Sequence, residues 1–178
     1  MFVHPFSDSA MIAGNGTIGL EILEDMPEID SVVIPYGGGG LCAGVATAIK
    51  ARRPQTRVYS CEPETAAPMA ASLAAGSAQK VKRIPSFVDG IGSENVLPEM
   101  WDLVGHLLDG SIVVSLHEIA EAIRLLFERN RVVAEGAGAA SIAAALTGKA
   151  GTGRVACIVS GGNIDVAKLI EILHGKIP

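Results

Sequence analysis

The sequence predicts an α/β fold, with one domain over residues 1–178 built on an open, mostly parallel sheet that has helices on both faces. Three observations support this prediction. Short apolar runs typical of buried strands alternate with alanine-rich segments typical of helices. The strand segments are almost continuously apolar, as expected of parallel strands that are covered on both faces. Glycine turns follow two of these strands, and each turn opens the next helix.

The predicted elements follow an irregular start over residues 1–8. The predicted strands are 32–36, 57–61, 111–115 and 155–159. The predicted helices are 17–25, 41–51, 66–75, 98–106, 135–146 and 164–173, with one more that begins after Ser115. That helix opens with a capping box, because Glu118 stands three residues after Ser115. Residues 77–95 are the least regular stretch, and long irregular segments in compact domains are often functional.

Charge and composition exclude several classes of protein. Lysine and arginine total 14 and aspartate and glutamate total 19, and this net charge of −5 argues against nucleic-acid binding. No run reaches the ~18 apolar residues of a membrane span. The hydrophobic fraction is 49%, so the apolar excess lies in a buried sheet or on a face that meets another chain.

The cysteines predict a reducing compartment. Cys42, Cys61 and Cys157 are odd in number and widely spaced, without a C-x-x-C pair, which argues against a disulfide framework or a zinc site. We expect them to be small buried hydrophobes. The first residues lack the basic and apolar regions of a signal peptide, so a cytoplasmic location is expected.

The glycine run Gly37, Gly38, Gly39 and Gly40 is the strongest chemical signal. It lies between an apolar strand and an alanine-rich helix that starts at Leu41. Backbone N–H groups of glycine can approach a ligand closely, and the helix N-terminus adds partial positive charge. This combination predicts a phosphate cradle.

A second glycine turn, Ser160-Gly161-Gly162-Asn163, also follows an apolar strand and opens a helix. Ligands of open α/β sheets bind at the carboxyl ends of the strands, where both turns are expected. Gly37–Gly40 would then hold the phosphate while Ser160 offers a hydroxyl to another part of the same ligand. The alternative is that both turns only connect strands to helices.

The segment Gly14–Gly19 matches the dinucleotide fingerprint G-x-G-x-x-G, which makes an NAD-binding Rossmann domain a weaker alternative. The fingerprint should follow a strand, and only Met11-Ile12-Ala13 precedes it. The strand that follows also ends without the expected acidic residue. A glycine-rich helix start is therefore the favoured interpretation.

Two acidic residues stand out by position. Glu135 opens an otherwise apolar helix, so it faces solvent, caps the helix or faces a ligand. Glu62 follows a strand end, where it is either a metal ligand or an ordinary exposed loop acid, and the pattern favours the exposed loop acid. The four histidines are scattered, with no pair at ligand spacing.

Several ordered blocks carry a resemblance that covers essentially the whole chain. They are His4-Pro5-Phe6, residues 12–22, residues 33–41, Glu62-Pro63, Asp89-Gly90-Ile91, residues 135–140 and residues 160–163. Together they resemble the pyridoxal-phosphate dependent threonine and serine dehydratases, the family of threonine ammonia-lyase and serine racemase. The resemblance implies fold type II, similar to the tryptophan synthase β subunit, and specifically a C-terminal portion of the large domain without the small domain.

The resemblance implies a role for each motif. Gly37–Gly40 and Leu41 would bind the cofactor phosphate, and Ser160, followed by Gly161, would hydrogen-bond the pyridine nitrogen. Glu135 would line the substrate side of the cofactor. Glu62 and the Ala66 carbonyl match two ligands of the divalent cation found in some members. The third ligand, usually acidic, falls near Pro68, which departs from the pattern.

The family's Schiff-base lysine lies in a Ser-x-Lys-x-Arg-Gly block, and these 178 residues contain no such block. The six lysines have largely polar surroundings that would not depress a lysine pKa for this chemistry. The resemblance therefore implies β-elimination of L-threonine or L-serine to a 2-oxo acid and ammonia, carried out by a longer enzyme. This chain alone is expected to be inactive or incomplete.

A second hypothesis is a non-catalytic module that binds a phosphate ligand or serves oligomerisation. The apolar surface left by a missing portion motivates it. The expected partners are thus a small amino acid and either a second copy in a homo-oligomer, such as a dimer, or the missing portion. Neither nucleic acid nor membrane is expected.

Overall fold

A computed structural model describes residues 4–178, and it contains a four-stranded parallel sheet. The strands are β1 (Ser31–Pro35), β2 (Arg57–Pro63), β3 (Gly110–Val114) and β4 (Val155–Cys157). They lie in the order β3-β2-β1-β4, and all three neighbouring pairs are parallel. The chain thus runs outward from β1 to β3 and then returns to the opposite side of β1. The predicted parallel sheet is confirmed.

Within residues 4–178, seven α-helices connect and cover the strands. They are α1 (Ser9–Asp25), α2 (Gly40–Arg52), α3 (Pro68–Ala75), α4 (Pro98–Val104), α5 (Leu116–Leu125), α6 (Gly136–Leu146) and α7 (Val166–Leu173). A π-helical segment, Leu126–Asn130, extends α5. The predicted capping box is present, with Ser115 and Glu118 each accepting from the other's backbone amide. The helix boundaries otherwise follow the predicted ones closely, except in α1.

Side chains of the sheet pack into two apolar cores, one on each face. Val32 and Ile34 of β1 pack with α2, α4 and the inner side of α1. Val33, between them, points to the other face and packs with α5, α6 and α7. This alternation follows from the period of two in a strand, and it confirms that helices cover both faces of the sheet.

The observed bounds of α1 differ from two expectations. This helix begins at Ser9 rather than Thr17, and the side chain of Asp8 accepts hydrogen bonds from the amides of Ala10 and Met11 at its start. The segment Gly14–Gly19 therefore lies inside this helix, not at its start and not in a turn after a strand. The dinucleotide fingerprint requires such a turn, so the match is a coincidence of sequence.

The glycines of this segment serve helix packing instead. A Cβ built on Gly16 would lie 3.3 Å from the carbonyl oxygen of Gly44, and one on Gly44 would overlap the carbonyl oxygen of Ile12. The absence of these side chains lets the backbones of α1 and α2 touch. The pattern of small residues thus reflects a close helix–helix contact.

The other predicted strands differ only at their ends. β4 ends at Cys157 rather than Val159, and it pairs with β1 alone in the part of the chain that is described. The three cysteines are free. Among residues 4–178, no helix has both the length and the apolar composition needed to cross a membrane.

Candidate active site

The two glycine turns meet at the carboxyl edge of the sheet. β1 and β4 are neighbours, with Val33 opposite Cys157, and both strands point the same way. Gly37–Gly40 follow β1, and Ser160–Asn163 follow β4. Because the chain reverses its direction across the sheet between these two strands, this edge is the crevice where ligands bind in open α/β folds. The predicted meeting of the two turns is confirmed.

A cavity of about 420 Å³ lies at this crevice. The predicted residues Gly37–Gly40, Leu41, Glu135 and Ser160 all line it. The remaining lining residues are Pro5, Phe6, Met11, Asn15, Pro35, Gly90, Ile91 and Ala137. No lysine among residues 4–178 lines this cavity. The structure therefore brings together side chains that are up to 155 positions apart in the sequence, from Pro5 to Ser160.

The glycine loop ends in an open helix N-terminus. Gly39 is the N-cap of α2, with a left-handed φ of +96° that glycine adopts without steric cost, and no side chain caps the helix. The first amides of α2 therefore have no intrahelical acceptor. Within residues 4–178, the amides of Gly37, Gly38 and Gly39 donate no backbone hydrogen bond either. Free amides at a helix N-terminus fit a phosphate group.

A buried phenol lies beneath this loop. Tyr36 is 1% exposed, and its hydroxyl has no hydrogen-bond partner among the described residues. A Cβ built on Gly39 would lie 3.0 Å from that hydroxyl and 3.1 Å from Cε of Met100. Burial raises the pKa of Tyr36, and nearby Cys42 and Glu62 raise it further, so the phenol stays neutral. Tyr36 and Met100 thus form a packed floor that leaves little room for a side chain at Gly39.

Glu135 stands between the two loops of the cavity. It is the N-cap of α6, its amide donates to the carbonyl of Gly161 at 3.1 Å, and its side chain is half-buried. A Cβ on Gly161 would lie 2.5 Å from Oε1 of Glu135, and one on Gly90 would lie 3.3 Å away. Gly161 therefore contributes by leaving room for the carboxylate of Glu135, which is directed between these two glycines.

A second, more polar cavity of about 350 Å³ shares Glu135 with the first. Its other lining residues are Phe87, Asp89, Asn163, Ile164, Asp165 and Lys168. Nζ of Lys168 lies 3.2 Å from Oδ2 of Asp89, and this ion pair links α7 to the irregular segment that carries Gly90. The irregular stretch 77–95 thus contributes to both cavities.

Glu62 is buried within β2, away from this cavity, so the expectation of an exposed loop acid after the strand is wrong. Its carboxylate accepts hydrogen bonds from the amides of Met69 and Ala70 and from the hydroxyl of Ser111, each at 2.8 Å. It therefore caps the N-terminus of α3. Burial raises the pKa of Glu62, and these three hydrogen bonds partly offset that effect.

Metal binding at Glu62 and Ala66 stays a prediction. Among the described residues, no group of three or more histidine, cysteine, aspartate or glutamate side chains is placed to hold a metal ion. Ala66 is buried and its amide donates to the carbonyl of Pro63. The hydrogen bonds of Glu62 give this acid a structural role that the sequence pattern did not indicate.

The cavity residues that sequence reasoning missed are mainly apolar. Pro5, Phe6 and Met11 carry no reactive group that would single them out. Asn15 lies in the first half of α1, ahead of the helix start that was predicted at Thr17. The available signal was that all of the missed lining residues except Met11 fall in blocks of the resemblance, where they had no assigned role. Tertiary packing alone brings the segment of Pro5 and Phe6 to the glycine loop.

Comparison with known proteins agrees with this geometry. The family model described as "Pyridoxal-phosphate dependent enzyme" matches residues 1–161. The chain is 45% identical over 175 residues to the L-threonine ammonia-lyase of Thermotoga maritima, covering 98% of this chain and 44% of that protein. It is 40% identical over 176 residues to the catabolic L-threonine dehydratase of Escherichia coli K12, covering 97% of this chain and 54% of that protein.

Solved structures show the same fold. The processed threonine deaminase isoform 2 of Solanum lycopersicum matches with a TM-score of 0.89 and 36% identity, over 97% of this chain and 51% of that one. Maize serine racemase matches with a TM-score of 0.87 and 35% identity, over 97% and 56%. The chain therefore spans about half the length of the relatives it matches. It belongs to the family of pyridoxal-phosphate dependent enzymes, and the relatives that it matches include threonine dehydratases and serine racemases.

Proposed function

We propose that this chain holds pyridoxal phosphate by its phosphate group and supplies that half of the active site to a threonine or serine ammonia-lyase. The observation that carries the proposal is the uncapped N-terminus of α2, which opens into a cavity that Ser160 and Glu135 also line. A phosphate dianion at this point gains both free amides and the helix dipole. The neighbouring cavity shares only Glu135 with this arrangement.

Two further residues have distinct roles in this proposal. Ser160 would form a hydrogen bond with the pyridine nitrogen, and a neutral partner there would leave the ring less electron-withdrawing than a carboxylate would. Glu135 faces the substrate side, where its carboxylate orients the amino acid or holds a proton. When bound, pyridoxal phosphate supplies the electron sink for charge that develops at the α-carbon of the substrate.

The proposed overall reaction converts L-threonine or L-serine into a 2-oxo acid and ammonia. The relatives named L-threonine ammonia-lyase and L-threonine dehydratase are about twice as long as this chain. Since these residues lack the Ser-x-Lys-x-Arg-Gly block, we propose that the chain acts together with polypeptide that supplies the lysine. A cytoplasmic location fits its free thiols.

Turnover by the chain alone tests the need for that lysine. A sample whose intact mass matches these 178 residues is supplied with pyridoxal phosphate and L-threonine. The expected rate of 2-oxo acid formation equals that of free pyridoxal phosphate. Robust dehydratase turnover from this sample would contradict the proposal.

Binding of pyridoxine 5′-phosphate tests the phosphate site itself. This probe lacks the aldehyde, so surface lysines do not capture it covalently. Calorimetry is expected to detect binding of the phosphate ester but not of pyridoxine. Gly39→Ala is expected to abolish binding, because Gly39 has a left-handed φ and a packed floor of Tyr36 and Met100.

The matched control for that variant is Gly76→Ala. Gly76 also has a left-handed φ, of +68°, but its Cβ position is open and it lies at the end of α3. This control places an alanine at a left-handed position remote from the loop, so its affinity for pyridoxine 5′-phosphate is expected to equal that of the wild type. Equal binding by the Gly39 variant would refute the assignment of the loop.

A specific observation also favours a second role as an association module. The edge strand β4 has one unpaired side within the described part of the chain, and exposed edges readily pair with further strands. Exposed apolar side chains lie before α6, after β4 and on α7, at Val132, Val133, Val159, Val166 and Ile170. We propose that a second copy or the other half of the enzyme covers them.

A further inference from the structure

The four glycines of the loop face different neighbours. A Cβ on Gly37 would make ordinary contacts of 3.5 Å with Gly90 and Ile91. A Cβ on Gly38, in contrast, would overlap Cγ and Cδ1 of the Phe6 ring. One on Gly40 would lie 2.5 Å from the carbonyl oxygen of Phe6. Gly38 and Gly40 thus lack side chains at the places where residue 6 is packed against the loop.

Local contacts hold Phe6 in this position. Nδ1 of His4 accepts a hydrogen bond from the amide of Ser7 at 3.1 Å, which closes a turn around Phe6. The rings of His4 and Phe6 meet edge to face, with centroids 4.4 Å apart. Asp8 then caps α1 directly after the turn. Phe6 is therefore fixed from its own segment, and its ring lies against Gly38 as one wall of the cavity.

We propose that Phe6 is a positioning residue for the phosphate loop, and that Gly38 is glycine because of Phe6 and not because of the phosphate. The inference rests on the proposed function of the loop. An apolar ring on one side of the cradle excludes water, and amide–phosphate hydrogen bonds are stronger where the local dielectric constant is low. The ring also restrains the peptide groups that must point at the anion.

The proposal makes a prediction about coupling. In Gly38→Ala the new methyl group displaces the Phe6 ring. This variant is therefore expected to lose the same part of the affinity for the phosphate that Phe6→Ala loses. Once the ring is gone, the methyl group has room. The two substitutions are therefore expected to be non-additive. If Gly38 instead faced the phosphate, the methyl group would block the anion whatever residue stands at position 6. The fold losses in affinity of the two single variants would then multiply in the double variant.

The experiment measures the dissociation constant of pyridoxine 5′-phosphate by calorimetry for the wild type, Phe6→Ala, Gly38→Ala and the double variant. All three variants are expected to bind about 5- to 10-fold more weakly than the wild type, with the double variant no worse than either single one. Phe127→Ala and Gly14→Ala serve as controls for loss of an aromatic ring and gain of a methyl group elsewhere. Both are expected to keep wild-type affinity.

The outcomes separate this inference from the proposed function. An unchanged affinity in Phe6→Ala, or losses that multiply in the double variant, would overturn the inference while the loop remains a phosphate site. A wild-type chain that binds no pyridoxine 5′-phosphate would overturn the proposed function and this inference with it. Urea unfolding without any ligand adds an independent readout, because direct packing of Phe6 on Gly38 makes the changes in unfolding free energy non-additive as well.

Discussion

Glu62 is a buried acid whose surroundings explain it without a metal ion. Both carboxylate oxygens accept hydrogen bonds, two of them from the first amides of α3. Those amides would otherwise lack acceptors, because α3 begins without a local side-chain cap. The side chain thus joins the end of β2 to the start of the next helix. The sequence pattern placed this acid after the strand, whereas β2 continues through Pro63, and the identity of its donors depends on the tertiary fold.

The pH dependence of stability tests this role. Because burial raises the pKa of Glu62 above its ordinary value of 4.5, the folded state binds more protons than the unfolded state between these two values. The contribution of Glu62 to the free energy of unfolding is therefore largest below pH 4.5 and falls as the pH rises through the raised pKa. This part of the pH dependence is expected to vanish in Glu62→Gln.

Glu62→Gln is also expected to lower the free energy of unfolding at pH 7. The amide of glutamine cannot accept on both sides, so one buried donor loses its partner at a cost of about 1–3 kcal/mol. Glu64→Gln is the control, because Glu64 accepts from the amide of Leu116 at an exposed site. Urea unfolding as a function of pH distinguishes the two variants. Parallel profiles for the wild type and Glu62→Gln would contradict this account.

At the scale of elements, the contact between α1 and α2 depends on glycines that look alike in the sequence but differ in environment. Gly14 is exposed, and nothing lies within 4 Å of its Cβ position. Gly44 is buried, and its Cβ would overlap the carbonyl of Ile12 and lie 2.7 Å from the amide of Gly16. The same substitution at these two sites should therefore have opposite effects.

Gly14→Ala is expected to raise the free energy of unfolding by about 0.5–1 kcal/mol, because alanine restricts the unfolded chain and favours the helix. Gly44→Ala is expected to lower it by about 1–3 kcal/mol, because the methyl group forces the two helix backbones apart. Thermal or urea unfolding of both variants provides the measurement. Stabilisation by Gly44→Ala would show that the helices do not touch there.

The elements that the sequence predicts well carry local signals. The apolar run before Gly37 predicts β1, and the pair Ser115 and Glu118 predicts the start of α5. The first half of α1 has no comparable signal, because glycines at 14 and 16 weaken the helix pattern. Packing against α2 compensates for this low propensity. That packing requires two segments to meet, so the local pattern does not predict it.

At the scale of the whole molecule, the site combines predictable and unpredictable parts. Gly37–Gly40 and Ser160 each follow a strand, so parallel strand order is enough to bring them to one edge. Glu135 lines the same cavity from the start of α6. Phe6 and Asn15 do not follow strands, and only the path of the N-terminal segment over α2 brings them to the cavity.

The unpaired side of β4 and the exposed apolar side chains near the end of the chain lead to a prediction about association. We expect light scattering to give a mass of at least a dimer, because a second copy that covers this surface removes apolar area from water. Measurement over a range of concentrations tests this expectation. A clean monomer at high concentration would contradict it and would favour a different polypeptide as the occupant.

The central claim is that the loop after β1 holds a phosphate group, and backbone amide chemical shifts of the isotope-labelled chain test it most directly. Inorganic phosphate is expected to shift the amides of Gly37–Leu41, and pyridoxine 5′-phosphate is expected to shift these and Ser160 as well. Pyridoxine without phosphate is the control. Loop amides that stay unmoved by both phosphate probes, or that move equally with pyridoxine alone, would contradict the claim.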